Sequence, residues 1–224
     1  MGPIWCRGLV DLLAPVACAG CGHAVTRDGL CADCAAELSG LALGGQGQVQ
    51  LSDTVRAGGA FAYAGVAAEA VKSVKLGGRH GAAAGLGARM FGALGLPPAA
   101  DADWPVTWVP STRRTRAARG FEVPRLLAGH GAVALLERVR GGPDQTSLPA
   151  SARAGALDGA FRARRPVHGR VVCVDDVRTT GATARAAGQA LTAAGARGVL
   201  VVTFAVAGRR GQLDPAGARQ PDNG

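Results

Sequence analysis

Asp175 and Asp176 stand side by side between an apolar run and a turn rich in hydroxyls, and no other stretch of the chain gathers as much chemistry. Before them come Val171, Val172, Cys173 and Val174, three of the four β-branched, which suits a buried strand. After them come Val177, Arg178 and the turn Thr179, Thr180, Gly181, Ala182 and Thr183, then an alanine-rich segment of helical character. Ligands of open α/β sheets bind just beyond the carboxyl ends of the strands. A turn there presents backbone N–H groups in a concave nest, and a helix starting near Ala182 adds the positive end of its dipole. The hydroxyls of Thr179, Thr180 and Thr183 can donate to phosphate oxygens. Gly181 can take a positive φ and let the backbone come close. Ionised, Asp175 and Asp176 accept hydrogen bonds and repel phosphate, so they belong at the sugar end of a ribose 5-phosphate, on its vicinal hydroxyls. A turn-capping role would explain either Asp alone. It does not explain the full order of strand, acidic pair, threonine turn and helix.

A second constellation lies near the N-terminus. Cys18 and Cys21 form one C-x-x-C knuckle, and Cys31 and Cys34 another, with nine residues between the two. Each knuckle can turn two thiolates toward one tetrahedral zinc ion, and Gly22 and Gly29 suit the tight turns this needs. Two disulfides are the competing reading. With no secretory signal ahead of the knuckles, the spacing favours metal. A four-thiolate site has no open position, so its role is structural. His23 lies beside the first knuckle as an exposed residue or a spare ligand. Cys6 and Cys173 fall outside the set, and Cys173 reads as a small hydrophobe in a buried strand.

The elements that must hold these residues are legible in outline. The chain has 224 residues, 48% of them hydrophobic, enough for one ordinary domain plus a small module. Residues 1–43 read as an amphipathic helix from Trp5 to Val16 followed by the four-cysteine module. Gly44 to Gly47 reads as a linker. Residues 48–208 form the main domain, and 209–224 a polar, disordered tail. Leu51 to Tyr63 is expected to supply strands or a hood. Ala67 to Lys75 and Gly81 to Leu94 read as helices, and Thr112 to Glu137 as mostly helical with breaks near Gly120 and Pro124. Val106 to Val109 and Val199 to Val206 join Val171 to Val174 as core strands. This alternation predicts an α/β fold, a parallel sheet with helices on both faces. No apolar run approaches the ~20 residues of a membrane span, and a cytoplasmic protein is expected.

The segment from Val171 to Thr183 resembles the signature of type I phosphoribosyltransferases, which bind phosphoribosyl pyrophosphate (PRPP). The resemblance implies that fold for residues 48–208. It places Asp175 and Asp176 on the ribose hydroxyls and gives Thr179, Thr180, Gly181, Ala182 and Thr183 the 5-phosphate. Arg178 departs from the usual apolar or aromatic residue, and either adds attraction for phosphate or points to solvent. With the four-cysteine module in front, the chain is similar to the ComF family of competence proteins. Val109 to Phe121 resembles that family's Val-Pro-x-x-Arg-Arg…Arg-Gly-Phe segment, and Gln145 to Leu148, Arg153 and Gly159 to Phe161 its next stretch. Glu122-Val123 and Ala156 depart from the family's Asn-Gln and Asn.

PRPP also carries a pyrophosphate, which needs a second anion site. Ser111 and Thr112, in the loop after Val109, are candidates, with Arg113, Arg114, Arg116 and Arg119 close by. Lys75 and Arg79, flanking a Gly-Gly turn, are another. Mg²⁺ is expected with PRPP, held largely by the substrate's oxygens and water. Three functions follow from the resemblance. One is pentosyl transfer from PRPP to an unidentified nitrogenous acceptor, in DNA uptake or nucleotide salvage. Another is PRPP sensing without catalysis. The last is handling of single-stranded DNA with other competence proteins. The net charge of +9 fits the last but equally fits a polyphosphate substrate. Aromatics make up 4% of the chain, too few for a long base-stacking platform.

Overall fold

The computed structural model describes residues 17–23, 28–139 and 159–208. The segment from Trp5 to Val16, with Cys6, lies outside the described residues. So do Gln145 to Leu148, Arg153, Ala156 and residues 209–224. The described chain is a mixed α/β structure. In order it forms α1 (Ala32–Gly40), β1 (Gln48–Gln50), β2 (Val55–Ala62), α2 (Gly65–Leu76), α3 (Ala83–Ala93), β3 (Val106–Trp108), α4 (Arg113–Arg119) and α5 (Val123–Ala128). Then come β4 (Leu136–Arg138), β5 (Phe161–Ala163), β6 (Gly169–Arg178), α6 (Ala182–Ala193) and β7 (Ala196–Val206).

The central sheet has the order β1-β2-β7-β6-β3, with only the β1–β2 pair antiparallel. Its middle strands are apolar along most of their length, as burial on both faces requires. Successive side chains alternate between the faces. Val172, Val174, Val202 and Phe204 belong to a core shared with α2, α3 and α5, while Val171, Cys173, Val199 and Val201 meet α6. Phe204 is fully buried, with its ring centroid 5.1 Å from that of Phe61. Gly188 lets α6 lie hard against the sheet, because a Cβ there would stand 2.4 Å from Val55 Cγ1.

Three sequence expectations shift. The strand read as Val171 to Val174 runs on to Arg178, because β7 continues beside it and pairs Arg178 with Val206. Thr112 to Glu137 is not mostly helical. Gly120 takes a left-handed conformation and ends α4, α5 stops at Ala128, and Leu136–Arg138 is a strand paired with β5. Gly44 to Gly47, read as a linker, is a 3-10 turn tied to the sheet through the Leu43 N–H, which donates to the Ala60 carbonyl.

The cysteine module shares its core with the main domain. Cys18, Ala19, Leu30, Cys34 and Leu38 are buried together with Val66, Ala70, Val74 and Leu86. Ser73 Oγ donates to the Ala19 carbonyl at 2.7 Å, and the Glu37 carboxylate accepts from Val66 N–H at 2.8 Å, in the first turn of α2.

Candidate functional site

The acidic pair lies near the carboxyl end of β6, the strand between β3 and β7. By strand alternation Asp175 continues the row of Val171 and Cys173, and Asp176 the row of Val172 and Val174. The two carboxyls therefore have different surroundings. Asp176 Oδ1 lies 2.9 Å from Lys75 Nζ, at the end of α2, with both side chains largely withdrawn from solvent. Asp175 accepts from the Asp176 N–H at 2.9 Å. Burial, then the charge of Asp176, pushes Asp175 up to about 8 against the opposing pull of that hydrogen bond, Lys75 and Arg138.

This has a consequence for stability. Folded, ligand-free chain keeps the Asp175 proton up to about pH 8, whereas the unfolded chain loses it near 3.8. The folded state therefore binds more protons between those values, and this group's contribution is lost as pH rises through that window. The slope is at most ~1.4 kcal/mol per pH unit. Urea unfolding at about pH 5 and about pH 8 checks it: Asp175→Asn is expected to remove much of the difference.

Beyond Arg178 the chain turns. Thr179 and Thr180 are exposed, Gly181 has φ +81°, and α6 begins at Ala182. Thr180 Oγ1 accepts weakly from the Ala182 N–H at 3.4 Å, and Thr183 lies in the first turn. The first N–H groups of any helix lack intrahelical acceptors, so this turn has the form of an anion cradle. Arg178 neither points to solvent nor into the cradle. Its Nη2 donates to the Gly47 carbonyl at 2.6 Å, and burial lowers its pKa. The Arg185 guanidinium donates to the Leu51 carbonyl, which fastens the β1–β2 connection over the start of α6.

The proposed pyrophosphate residues divide. Lys75 comes to the acidic pair. Arg79 instead lies against the first cysteine knuckle, its Nη2 2.7 Å from where a Cβ on Gly22 would stand. The loop after β3 does reach the site's edge, since Val109 N–H donates to the Val174 carbonyl. Thr112 serves there as N-cap of α4, its hydroxyl accepting from Thr115 N–H at 3.0 Å. Arg113, Arg114 and Arg116 are exposed on that short helix and Arg119 is half-buried.

Three contributors escaped the sequence reading. Glu122, 8% exposed, accepts from the Ser111 N–H at 2.9 Å and from Trp108 Nε1–H at 3.3 Å, and so holds the loop after β3. Removing both acceptors in Glu122→Ala should cost about 1–3 kcal/mol in urea unfolding, with a smaller loss for Glu122→Gln. Arg138 stacks over Phe161 at 5.1 Å and faces the charge of Asp175. Thr203 pairs in register with Asp175, and its buried hydroxyl has no partner among the described residues. The departure at Glu122 was visible, but a carboxylate folding back onto its own loop has no sequence signature.

The sulfurs of Cys18, Cys21, Cys31 and Cys34 lie within 4.8 Å of one another, and this cluster can hold a metal ion such as zinc. A tetrahedral site with Zn–S near 2.3 Å has S–S edges of about 3.8 Å, and the Cys21 and Cys31 sulfurs are 3.7 Å apart. Burial opposes ionisation of Cys18, but backbone hydrogen bonds at Cys31, Cys21 and Gly20 outweigh it and bring the thiol to about 6. Burial, then the neighbouring thiols, pushes Cys34 up to about 12. Four thiolates at such separations need a cation between them. His23 Nδ1 is 3.0 Å from Cys21 Sγ, beside the cluster. Gly20 allows the knuckle to meet α2, since a Cβ there would stand 2.6 Å from Val66 Cγ2.

Among the described residues no helix is long and apolar enough to cross a membrane. No protein-family model matches the chain, and none of the curated proteins matches it significantly.

Proposed function

We propose that this chain binds PRPP with Mg²⁺ as a phosphoribosyltransferase of the ComF type, on a type I phosphoribosyltransferase fold, and carries a structural zinc ion. One observation supports this reading above the others: the acidic pair lies near the carboxyl end of a central parallel strand, with Val177 and Arg178 between it and a threonine turn that holds a left-handed glycine and a helix N-terminus. A ribose 5-phosphate fits that order, phosphate in the turn from Thr179 to Thr183 and sugar hydroxyls on the carboxyls. Ser111 and Thr112 on the neighbouring loop, together with Arg113, Arg119 and Lys75, would take the pyrophosphate.

The proposed reaction uses no protein nucleophile. The bond from the anomeric carbon to the pyrophosphate oxygen breaks, an oxocarbenium-like centre develops, and the lone pair of the acceptor nitrogen closes on it. The protein's share is positioning and charge. Asp176, paired with Lys75, orients the ribose. Asp175, whose carboxyl titrates near neutrality, suits removal of the proton from the incoming nitrogen. Magnesium, when bound with PRPP, neutralises charge on the departing pyrophosphate.

Calorimetric titration of the zinc-loaded protein with PRPP and Mg²⁺ tests the reading, followed by assay of pyrophosphate release with a panel of bases and amines. Saturable binding with acceptor-dependent release supports the enzyme. Binding without turnover would reduce the reading to a PRPP sensor, and absence of binding would end it.

A further inference from the structure

The opposite end of the central sheet carries a second cleft, of about 540 Å³. It is lined by the first residues of β2, β6 and β7 and by the chain between α3 and β3. Arg170, at the cleft's outer end, and Asp175 are five residues apart on β6, so at ~3.3 Å per residue their backbones lie about 17 Å apart. We propose that this cleft binds a nucleoside monophosphate, independently of the phosphoribosyl reading.

Three features carry this. The cleft's charged lining is Arg56, Arg170 and Arg197 against the single carboxylate of Asp53. Arg170 and Arg197 are exposed and form no salt bridge among the described residues, which leaves their guanidinium groups able to grip phosphate oxygens bidentately. Arg56 is held by Gln50, which accepts from its Nε–H at 2.8 Å. The apolar lining is half-buried Trp104 with Leu94 and Leu96, and an indole offers a stacking surface for a base. Finally, the floor lacks side chains at Gly58 and Gly198. A Cβ on Gly58 would reach Leu94 at 3.6 Å, and one on Gly198 would reach Arg170 at 3.8 Å, so the glycines give the cleft its depth. Gln48 and Thr54 at the rim supply polar groups for a ribose or base edge. The volume falls within the ~300–1,000 Å³ of small-molecule sites. A half-open cleft of that size accepts one nucleotide unit, where a polymer needs a continuing groove.

The test is titration of the full chain with adenosine 5′-monophosphate, by calorimetry and tryptophan fluorescence. It is run on the unmodified protein and on the D175N/D176N, R170Q/R197Q and W104L variants. Saturable binding kept in D175N/D176N and weakened at least ~10-fold in both R170Q/R197Q and W104L is the expected result. The arginines are exposed, so their replacement leaves the core intact, and the W104L protein is checked by circular dichroism. Binding that survives R170Q/R197Q, or is lost in D175N/D176N, would place the nucleotide elsewhere and overturn the proposal. So would equal competition by inorganic phosphate, affinity that climbs with oligonucleotide length, or no binding at millimolar concentration.

Discussion

Replacing Asp175 and Asp176 together by Asn is expected to weaken PRPP binding by at least ~100-fold while leaving the fold in place. Measured above about pH 8, where both are ionised, each carboxylate would accept a charge-assisted hydrogen bond from a ribose hydroxyl, worth about 1.5–3 kcal/mol, and two such losses amount to ~3–6 kcal/mol. Asn keeps the shape of Asp, and at position 175 it removes a carboxyl that burial already disfavours as an ion. The ligand-free variant should therefore unfold at no lower urea concentration than the unmodified protein at about pH 8. The single variants separate the roles. Asp176→Asn leaves Lys75 without its partner at 2.9 Å and should raise the PRPP dissociation constant most. Asp175→Asn should act more on turnover than on binding, and should flatten the pH profile near neutrality. Unchanged PRPP affinity in the double variant would remove the site from the carboxyl end of β6.

Loss of the metal is the second large effect. Cys18→Ser is expected to reduce bound zinc from about one ion per chain to a small fraction, measured by atomic absorption. Structural zinc contributes about 10–16 kcal/mol in isolated finger peptides. The stability lost here should be smaller, because the module also rests on α2 and α3 through Leu30, Leu38 and Val66. The damage should nevertheless travel. The Ala19 carbonyl holds Ser73, Glu37 holds the start of α2, and the end of α2 carries Lys75 to Asp176. Amide exchange should accelerate across Gly65–Leu76, and PRPP binding should weaken several-fold although none of the four clustered cysteines belongs to β6. Full zinc occupancy in Cys18→Ser would refute the four-cysteine centre. Normal exchange in α2 after zinc loss would refute the coupling.

The local structure around the acidic pair and the cysteine cluster was legible in the sequence because it is carried by contiguous residues. The order from Val171 to Thr183 specifies a strand, an acidic pair, a glycine turn and a helix start through propensity and steric rules that act over a few positions. The same holds for the paired C-x-x-C knuckles, whose ligand spacing is set by the turn itself. Alternating apolar segments likewise announced a mostly parallel sheet with helices.

What the sequence left undecided depends on residues far apart in the chain. Whether Lys75 or Arg79 would join the acidic pair turned on where α2 ends, and the knuckle at Gly22 claimed Arg79. Arg178 was drawn to the Gly47 carbonyl by a turn more than a hundred residues earlier. The length of β6 was decided by β7, whose backbone groups pair with it past the acidic pair to Arg178. The near-neutral carboxyl of Asp175 arises first from burial, a property of the assembled sheet, and only then from the charge of its neighbour Asp176. Pairing, burial and close packing are set by which surfaces the folded chain brings together, and no local rule encodes them.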